Sequence, residues 1–386
     1  MAPLTSCIRI AVVGSSCRAA VACLRRCGVP TIAADQFADA DLRKMAPATQ
    51  LFDYPAEIPA WLSSAEATHW LYVGGLENHP EVLASAAAIR PLLGVAPSAL
   101  ATIRDPLQLQ HHLRAAGFRF PATESILPAE GHWLQKPIRS AGGLNVVDVN
   151  CSEVDGVKRN ERERHDASVV YQRFISGGCY GAAFVAINGT ACGLGVTRQL
   201  IGRKWGAPQA FQYAGSIGPV TLPETLQDQL QRLANFLAQS TSLIGLYGID
   251  FIINGDEIWP IEINPRFTAA MELLPENVMR RHLEAWALES DSGDTLAASS
   301  PLGKYRGKLY VYAASEFAWT AAFAKSLADQ AEELALSLAD IPSVDTKIPA
   351  MAPAFTLLGA SSNAAELLGR LREGSKILLR QTSRLA

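Results

Sequence analysis

Over the first ninety residues the apolar positions fall into two alternating patterns. IRIAVVG, VPTIAAD and HWLYVGG are apolar runs of strand length, whereas SCRAAVACLRRCG and HPEVLASAAAI repeat their apolar residues at helical spacing. Short buried strands alternating with helices predict β-α-β units and a parallel sheet covered on both faces. Gly14 ends the first strand, where a phosphate can meet a helix N-terminus. GSSCRA lacks the Gly-x-Gly-x-x-Gly spacing of a dinucleotide fold, so Gly14 reads as a tight turn and not as a nicotinamide site.

The texture changes near residue 95. VAPSALATIRDPLQLQHHLRAAGFRFP reads as a helix bounded by Pro106 at its start and Gly117 at its end, a connector between two units. From about Thr123 to Val220 the runs ESIL, HWLQKPI, NVVDV, SVVYQRFI, YGAAFVAIN, ACGLGVTRQL and FQYAGSIGPV are separated by Gly, Asn and Pro turns. Such close spacing predicts antiparallel strands in an α+β region. TLPETLQDQLQRLANFLAQS then sets Leu222, Leu226, Leu230, Leu233 and Leu237 at helical spacing, one amphipathic helix packed on the sheet. Beyond Pro301, GKLYVYAAS, an alanine-rich helical stretch, DIPSVDTKIPAMAPAFTLLGAS and a last helix around AAELLGRLRE predict a small β-rich terminal module. CSEVDGVKRNERERHDAS is dense in charge and is expected to be a solvated loop.

Composition narrows the function classes. The chain has 386 residues, 49% hydrophobic and 18% charged, with a net charge of -3. That length suits two to three domains at about 100 to 200 residues each. A near-neutral balance leaves no electrostatic footprint for nucleic acid, and no apolar run approaches the ~20 residues that span a bilayer. A cytoplasmic chain without a nucleic-acid or membrane partner is expected. The seven cysteines, Cys7, Cys17, Cys23, Cys27, Cys151, Cys179 and Cys192, contain no Cys-x-x-Cys pair. They read as free thiols, with Cys23 and Cys27 buried one helical turn apart and not as metal ligands.

Candidate chemistry concentrates in LYGIDFIINGDEIWPIEINPRF, a hairpin around Asn254, Gly255 and Asp256. Glu262 and Asn264 are two apart and leave the same face of the second strand. Asp250 joins them only if the connection has an odd number of residues or a bulge, because a plain two-residue loop sends it to the opposite face. Asp, Glu and Asn oxygens suit a hard cation such as Mg²⁺, with phosphate oxygens completing its shell. Arg266, just beyond, can stabilise transferring phosphate charge. In HWLQKPIRSAGGLNVV an apolar strand delivers Lys136 to a loop with Ser140, Gly142 and Gly143, a point charge followed by backbone able to approach phosphates closely.

The order of these pieces resembles the ATP-grasp superfamily: a Rossmann-like domain, a connector helix, Lys136-Pro137 with Ser140 to Gly143, the hinge VYQRFISGG, GIDF, and Glu262, Asn264, Pro265 and Arg266. YVGGLENHP, FQYAGSIGP and the DIP and TKIPAMAPAFTLLGA segments further resemble the predicted ATP-dependent carboligases related to biotin carboxylase, a branch associated with one-carbon cofactor pathways. The resemblance implies a mixed α/β and α+β ATP-grasp fold. Residues 1–95 would be a Rossmann-like domain, 96–300 the ATP-grasp domain, and 301–386 a β-rich module packed on it. It implies that Lys136, Ser140, Gly142 and Gly143 hold ATP phosphates and that Gln172, Arg173, Phe174 and Ile175 line the adenine. Asp250, Glu262 and Asn264 would hold Mg²⁺ or Mn²⁺, with Lys136 and Arg266 as catalytic residues. Many members carry Asp-Lys at the start of the connector helix, where this chain has Arg104-Asp105-Pro106, so Arg104 or Arg198 is a candidate substitute cation. Glu77 and Asn78 are candidates for the substrate, the domain interface or the cap of the helix after His79, and Arg198 is a candidate for the substrate.

The activity so implied is ADP-forming ligation of a carboxylate to an amine or thiol through an acyl phosphate. The partners would be small-molecule carboxylates and amines, and a homodimer is compatible with it. Carboxylation with bicarbonate and a non-catalytic ATP-binding sensor or scaffold are the alternatives.

Overall fold

The strand Ile10–Gly14 is buried along its whole length, because helices cover both faces of the parallel sheet it centres. The structure, a computed structural model, describes residues 8–150, 168–274, 278–288 and 305–382. In this first sheet the order is Ala48–Gln50, Thr31–Asp35, Ile10–Gly14, His69–Tyr72, all parallel. Gly14 has a packing reason to be glycine, since a Cβ there would lie 2.3 Å from Val73 Cγ2. The helix Arg18–Arg26 that follows is not open to a phosphate at its start: the Asp35 carboxylate already accepts the Cys17 N–H at 2.6 Å. Both findings agree with reading this turn as structural.

Two helices, Pro97–Arg104 and Pro106–Ala115, form the connector. Asp105 separates them and caps the second by accepting the Leu107 and Gln108 N–H groups. Beyond them, Thr123–Glu124, Val169–Arg173, Trp133–Pro137 and Val147–Asp148 make a small antiparallel sheet, in that spatial order. Among the described residues its own hydrophobic cluster consists of Trp133, Val169 and Tyr171. The charge-dense stretch expected as a loop lies, apart from Ser168, outside the described residues, as do Cys7 and Cys151.

The largest sheet has eight antiparallel strands in the order Glu257–Asn264, Gly245–Asn254, Gly178–Ile187, Thr190–Ile201, Tyr213–Gly218, Tyr305–Tyr312, Pro353–Ser361 and Leu336–Ala339. The helix Glu224–Ser240 buries Leu226, Leu230, Leu233 and Leu237 against it. Three C-terminal strands join this sheet, Tyr305–Tyr312 pairing directly with Tyr213–Gly218 and extending the same ladder, while Phe317–Trp319 and Thr346–Ile348 pair in a separate two-stranded sheet. The strand Leu336–Ala339 follows the alanine-rich helix Ala321–Glu333, an element that stretch does not announce. The parallel sheet and the eight-stranded sheet share hydrophobic clusters, with Val13 and Trp70 in the same core as Tyr247 and Ile263. Of the five described cysteines, Cys17, Cys23 and Cys27 are buried. Among the described residues no helix is long and apolar enough to cross a membrane.

Candidate active site

A cavity of about 930 Å³ lies where the parallel sheet, the small four-stranded antiparallel sheet and the eight-stranded sheet meet. One wall is the acidic hairpin. Its turn is Gly255-Asp256, a plain two-residue connection between paired Asn254 and Glu257, so the odd-length loop or bulge expected around Asn254 to Asp256 is absent from that position. The register shifts farther along, where Phe251 opposes Pro260 but Asp250 opposes Glu262, leaving Ile261 as the extra residue. Pro260, which has no N–H to give a ladder, sits beside this bulge on an edge strand, the setting where proline is tolerated. The bulge turns Asp250 onto the face of Glu262 and Asn264, and Asn264 Nδ2 donates to Asp250 Oδ2 at 3.1 Å. Gly181, opposite Asp250, leaves the space, for a Cβ there would stand 3.2 Å from Asp250 Oδ1. Burial first, then the Glu262 charge, pushes the Asp250 carboxyl up to about 7.

The facing wall is cationic. Lys136 Nζ donates to Gln172 Oε1 at 3.0 Å, and Gln172 Nε2 passes the chain on to Thr123 Oγ1 at 3.2 Å. Burial pulls the Lys136 ammonium down, while Glu262 and Asp250 oppose that pull. Gln172 is 3% exposed and its amide is engaged on both sides, so it orients Lys136 although it also borders the cavity. The loop after Lys136 is pinned to the main sheet: Gly142 C=O accepts the Tyr213 N–H at 2.8 Å and Asn145 N–H donates to Gln209 Oε1 at 2.6 Å. Gly143, at φ +70, lies so close to Phe211 that a Cβ would be 2.1 Å from its carbonyl oxygen. Ser140, Gly142, Gly143, Arg173, Phe174 and Ile175 all border the cavity, and Phe174 stacks on His132 with ring centroids 4.4 Å apart.

Arg104 is the residue whose place the sequence left open. From the end of the first connector helix its Nη1 reaches Glu262 Oε1 at 2.6 Å, and its Nη2 reaches Asn78 Oδ1 at 3.0 Å and the Ser140 carbonyl at 3.1 Å. Its Nε is buried with no acceptor among the described residues. Arg198 lies elsewhere. It is exposed between Thr197 and Gln199, which border the cavity, so strand alternation turns it to the opposite face and away from any substrate there.

Glu77 and Asn78 are interface residues and do not border the cavity. Glu77, with a fully buried side chain, lies 2.6 Å from Arg266 Nη2 and accepts from Arg266 Nε at 2.7 Å. Burial pushes its carboxyl up, yet the Arg266 guanidinium outweighs burial and leaves it below its ordinary value. Arg266 also reaches Asn264 Oδ1 at 3.2 Å. The helix Pro80–Ile89 takes no side-chain cap from either residue.

Among the described residues no three His, Cys, Asp or Glu side chains cluster at metal-binding spacing. Two adjacent half-buried carboxylates and one amide oxygen form an incomplete cage. That set fits Mg²⁺, which retains waters and takes phosphate oxygens instead of demanding a full protein shell.

Residues 103–270 match the family described as the ATP-grasp domain, and the chain carries that domain. The carbamoyl phosphate synthase large chain of Pseudomonas syringae pv. tomato is 23% identical over 197 residues, 46% of this chain but only 17% of that protein. Among solved structures, an ADP complex of N5-carboxyaminoimidazole ribonucleotide synthetase superposes with a TM-score of 0.68 at 14% identity, covering 96% of each chain. The L-amino acid ligase from Bacillus licheniformis superposes at 0.67 and 13% identity, covering 98% of this chain and 97% of its own. The whole described architecture is therefore the ATP-grasp fold, at identities that speak to fold alone.

Proposed function

We propose that the protein is an ATP-dependent, ADP-forming ligase that activates a carboxylate as an acyl phosphate and joins it to an amine. The observation that carries this reading is the convergence of Asp250, Glu262 and Asn264 on one side of a single cavity, opposite Lys136 and the Ser140–Gly143 loop. Phosphoryl transfer asks a protein mainly to position groups and neutralise charge. Asp250, Glu262 and Asn264 would hold Mg²⁺, which when bound supplies charge neutralisation to phosphate oxygens. Lys136 and Arg104 bring cationic N–H groups to the phosphates, and the unpartnered Arg104 Nε suits an anionic acceptor. Phe174 and Ile175 bound the apolar slot for the base, with Arg173 at its edge. Arg266, held by Glu77, places positive charge beside the carboxylate being phosphorylated. The fold-level likeness to the L-amino acid ligase favours an amine as nucleophile.

The test is Mg²⁺-dependent ADP release with carboxylates, using hydroxylamine to trap an acyl phosphate as a hydroxamate. Glu262→Gln, which keeps side-chain volume and removes one charge, should abolish release while leaving the melt level or higher. ADP release dependent on bicarbonate alone would favour carboxylation. MgATP binding with no release for any acid would leave a sensor or scaffold.

A further inference from the structure

Some of the residues bordering the cavity are left unassigned by the nucleotide reading: Ala269 and Ala270, the aromatic residues Tyr310 and Tyr312, and the exposed Phe37 and Met351. Among the described residues, the charged ones bordering the cavity are Arg104, Lys136, Arg173, Asp250, Glu262 and Arg266. Arg104 pairs with Glu262, Lys136 donates to Gln172, Arg173 lies over the Trp133 ring at 5.7 Å, and Arg266 is held by Glu77 and Asn264. Lys308, whose Nζ lies 5.1 Å over the Tyr310 ring and 3.5 Å from the Ala269 carbonyl, is 1% exposed and is paired with Glu272 at 2.5 Å.

Among the described residues, the cations near Ala269, Ala270 and Tyr310 are Arg266 and Lys308, and both are already paired with carboxylates, so a phosphate or a second carboxylate seated there would lack a free partner. Apolar surface is instead presented to it. Phe37 and Met351 are 54% and 67% exposed, two large hydrophobics placed at the rim of one cavity. Met351 holds its place in the left-handed region, at φ +63, fixed by its N–H to the Ala313 carbonyl and by Ala313 N–H to the Ala352 carbonyl. Tyr312 O–H donates to the Tyr213 carbonyl at 2.7 Å, and Tyr310 stands edge-on to Tyr213 at 5.5 Å, so the ring wall is rigid.

We propose that the carboxylate this site activates carries an uncharged, apolar body of aryl or alkyl character, seated between Ala269–Ala270 and Tyr310, and no phosphate group. This rests on the ligase reading above. Its carboxylate would face the glycine loop and Arg266, attack the terminal phosphorus of ATP and release ADP; the amine would then attack the acyl carbon, forming the amide C–N bond as inorganic phosphate leaves and the amine gives up a proton.

The experiment measures hydroxamate and ADP with 3-phenylpropanoate and hexanoate against succinate and 3-phosphoglycerate. The apolar acids should exceed the charged ones by about 100-fold in kcat/KM, the scale on which a charge in an apolar pocket is rejected. Ala270→Phe should cut turnover of the apolar acids by about 50-fold, while affinity for a non-hydrolysable MgATP analogue changes by less than about twofold. If Ala270→Phe fails to fold, Met351→Asp at the exposed rim should raise KM for the apolar acids without moving nucleotide affinity. Preference for succinate or the phosphorylated acid overturns this proposal and leaves the ligase reading standing. Absence of hydroxamate with every acid overturns both.

Discussion

Arg104 Nη1 lies 2.6 Å from Glu262 Oε1, which places a cation from the connector helix directly on the acidic strand. Its other nitrogen ties Asn78 of the N-terminal unit and the Ser140 carbonyl of the glycine loop to the same point. One guanidinium thus joins three parts of the chain around the cavity. The connector helix therefore supplies its charge one residue before the cap Asp105, from Arg104, while Pro106 only starts the next helix.

Arg104→Met should weaken binding of an ATP analogue, with or without Mg²⁺, by about 10- to 100-fold, since charge-assisted hydrogen bonds are worth about 1.5–3 kcal/mol. Arg104→Lys should recover only part of this, because an ammonium cannot make the forked contact to Glu262, Asn78 and Ser140. Calorimetric titration reads both variants. Wild-type affinity in Arg104→Met would show that the guanidinium serves the interface alone.

Lys136→Ala should lose most nucleotide affinity with little change in melting temperature. Gln172→Leu is the more discriminating variant. It leaves the Lys136 ammonium in place but removes its 3.0 Å acceptor, so affinity should fall less than in Lys136→Ala. Equal loss in both variants would mean that Gln172 contacts the nucleotide itself.

Much of this site was visible in the chain, and what was hidden has physical reasons. Lys136, Glu262 and Asn264 stand out because each interrupts an apolar strand pattern, where a solvated role is costly. The convergence of Asp250 was conditional, since Asn254-Gly255 announces a tight turn and a tight turn alone puts Asp250 on the wrong face. Pro260 was the overlooked signal, because a proline inside a strand asks for an edge or a bulge and here has both. Arg104 resembles any basic residue in the last turn of a helix, and its partners lie 26, 36 and 158 residues away. Arg198 carries the same charge one residue out of phase with the cavity face. No local pattern distinguishes the two arginines; only the packing of the connector against the hairpin does.

Glu77→Ala should be among the most destabilising single changes in the N-terminal unit. Glu77 is fully buried at its side chain and Arg266 is 10% exposed, so removing the carboxylate leaves a buried, uncompensated guanidinium. Breaking one side of such a pair costs about 3–5 kcal/mol. Glu77→Ala combined with Arg266→Met should regain part of that loss, and only the double variant should combine recovered stability with lost activity. Urea melts of the four proteins measure the coupling.

Two carboxylates of one buried network should give stability opposite dependences on pH. Arg18 Nη1 meets Glu272 at 2.6 Å and Arg18 Nε meets Asp340 at 2.8 Å, with Thr356 Oγ1 donating to Asp340 at 2.5 Å. Burial pushes the Asp340 carboxyl up, but Arg18 and Lys308 outweigh it and hold it at about 2. Its folded value is below the unfolded one, so its stabilisation is fully present above about pH 4 and is lost as pH falls toward 2, roughly 2 kcal/mol in all. Asp39, 7% exposed, is driven to about 8 by burial and by Asp340, Asp35 and Asp41, with Arg18 opposing. Its folded value is above the unfolded one, so its contribution is present below about pH 4 and is lost as pH rises through 8. Between pH 4 and 8 the folded protein should therefore take up a proton at Asp39 that the unfolded chain has released. Asp39→Asn should flatten the decline in urea midpoint from pH 5 to 9, and Asp340→Asn should lower stability at neutral pH and flatten the decline below pH 4. An unchanged alkaline slope in Asp39→Asn would show that this carboxyl is ionised in the folded protein, with Arg18 outweighing both burial and its three acidic neighbours.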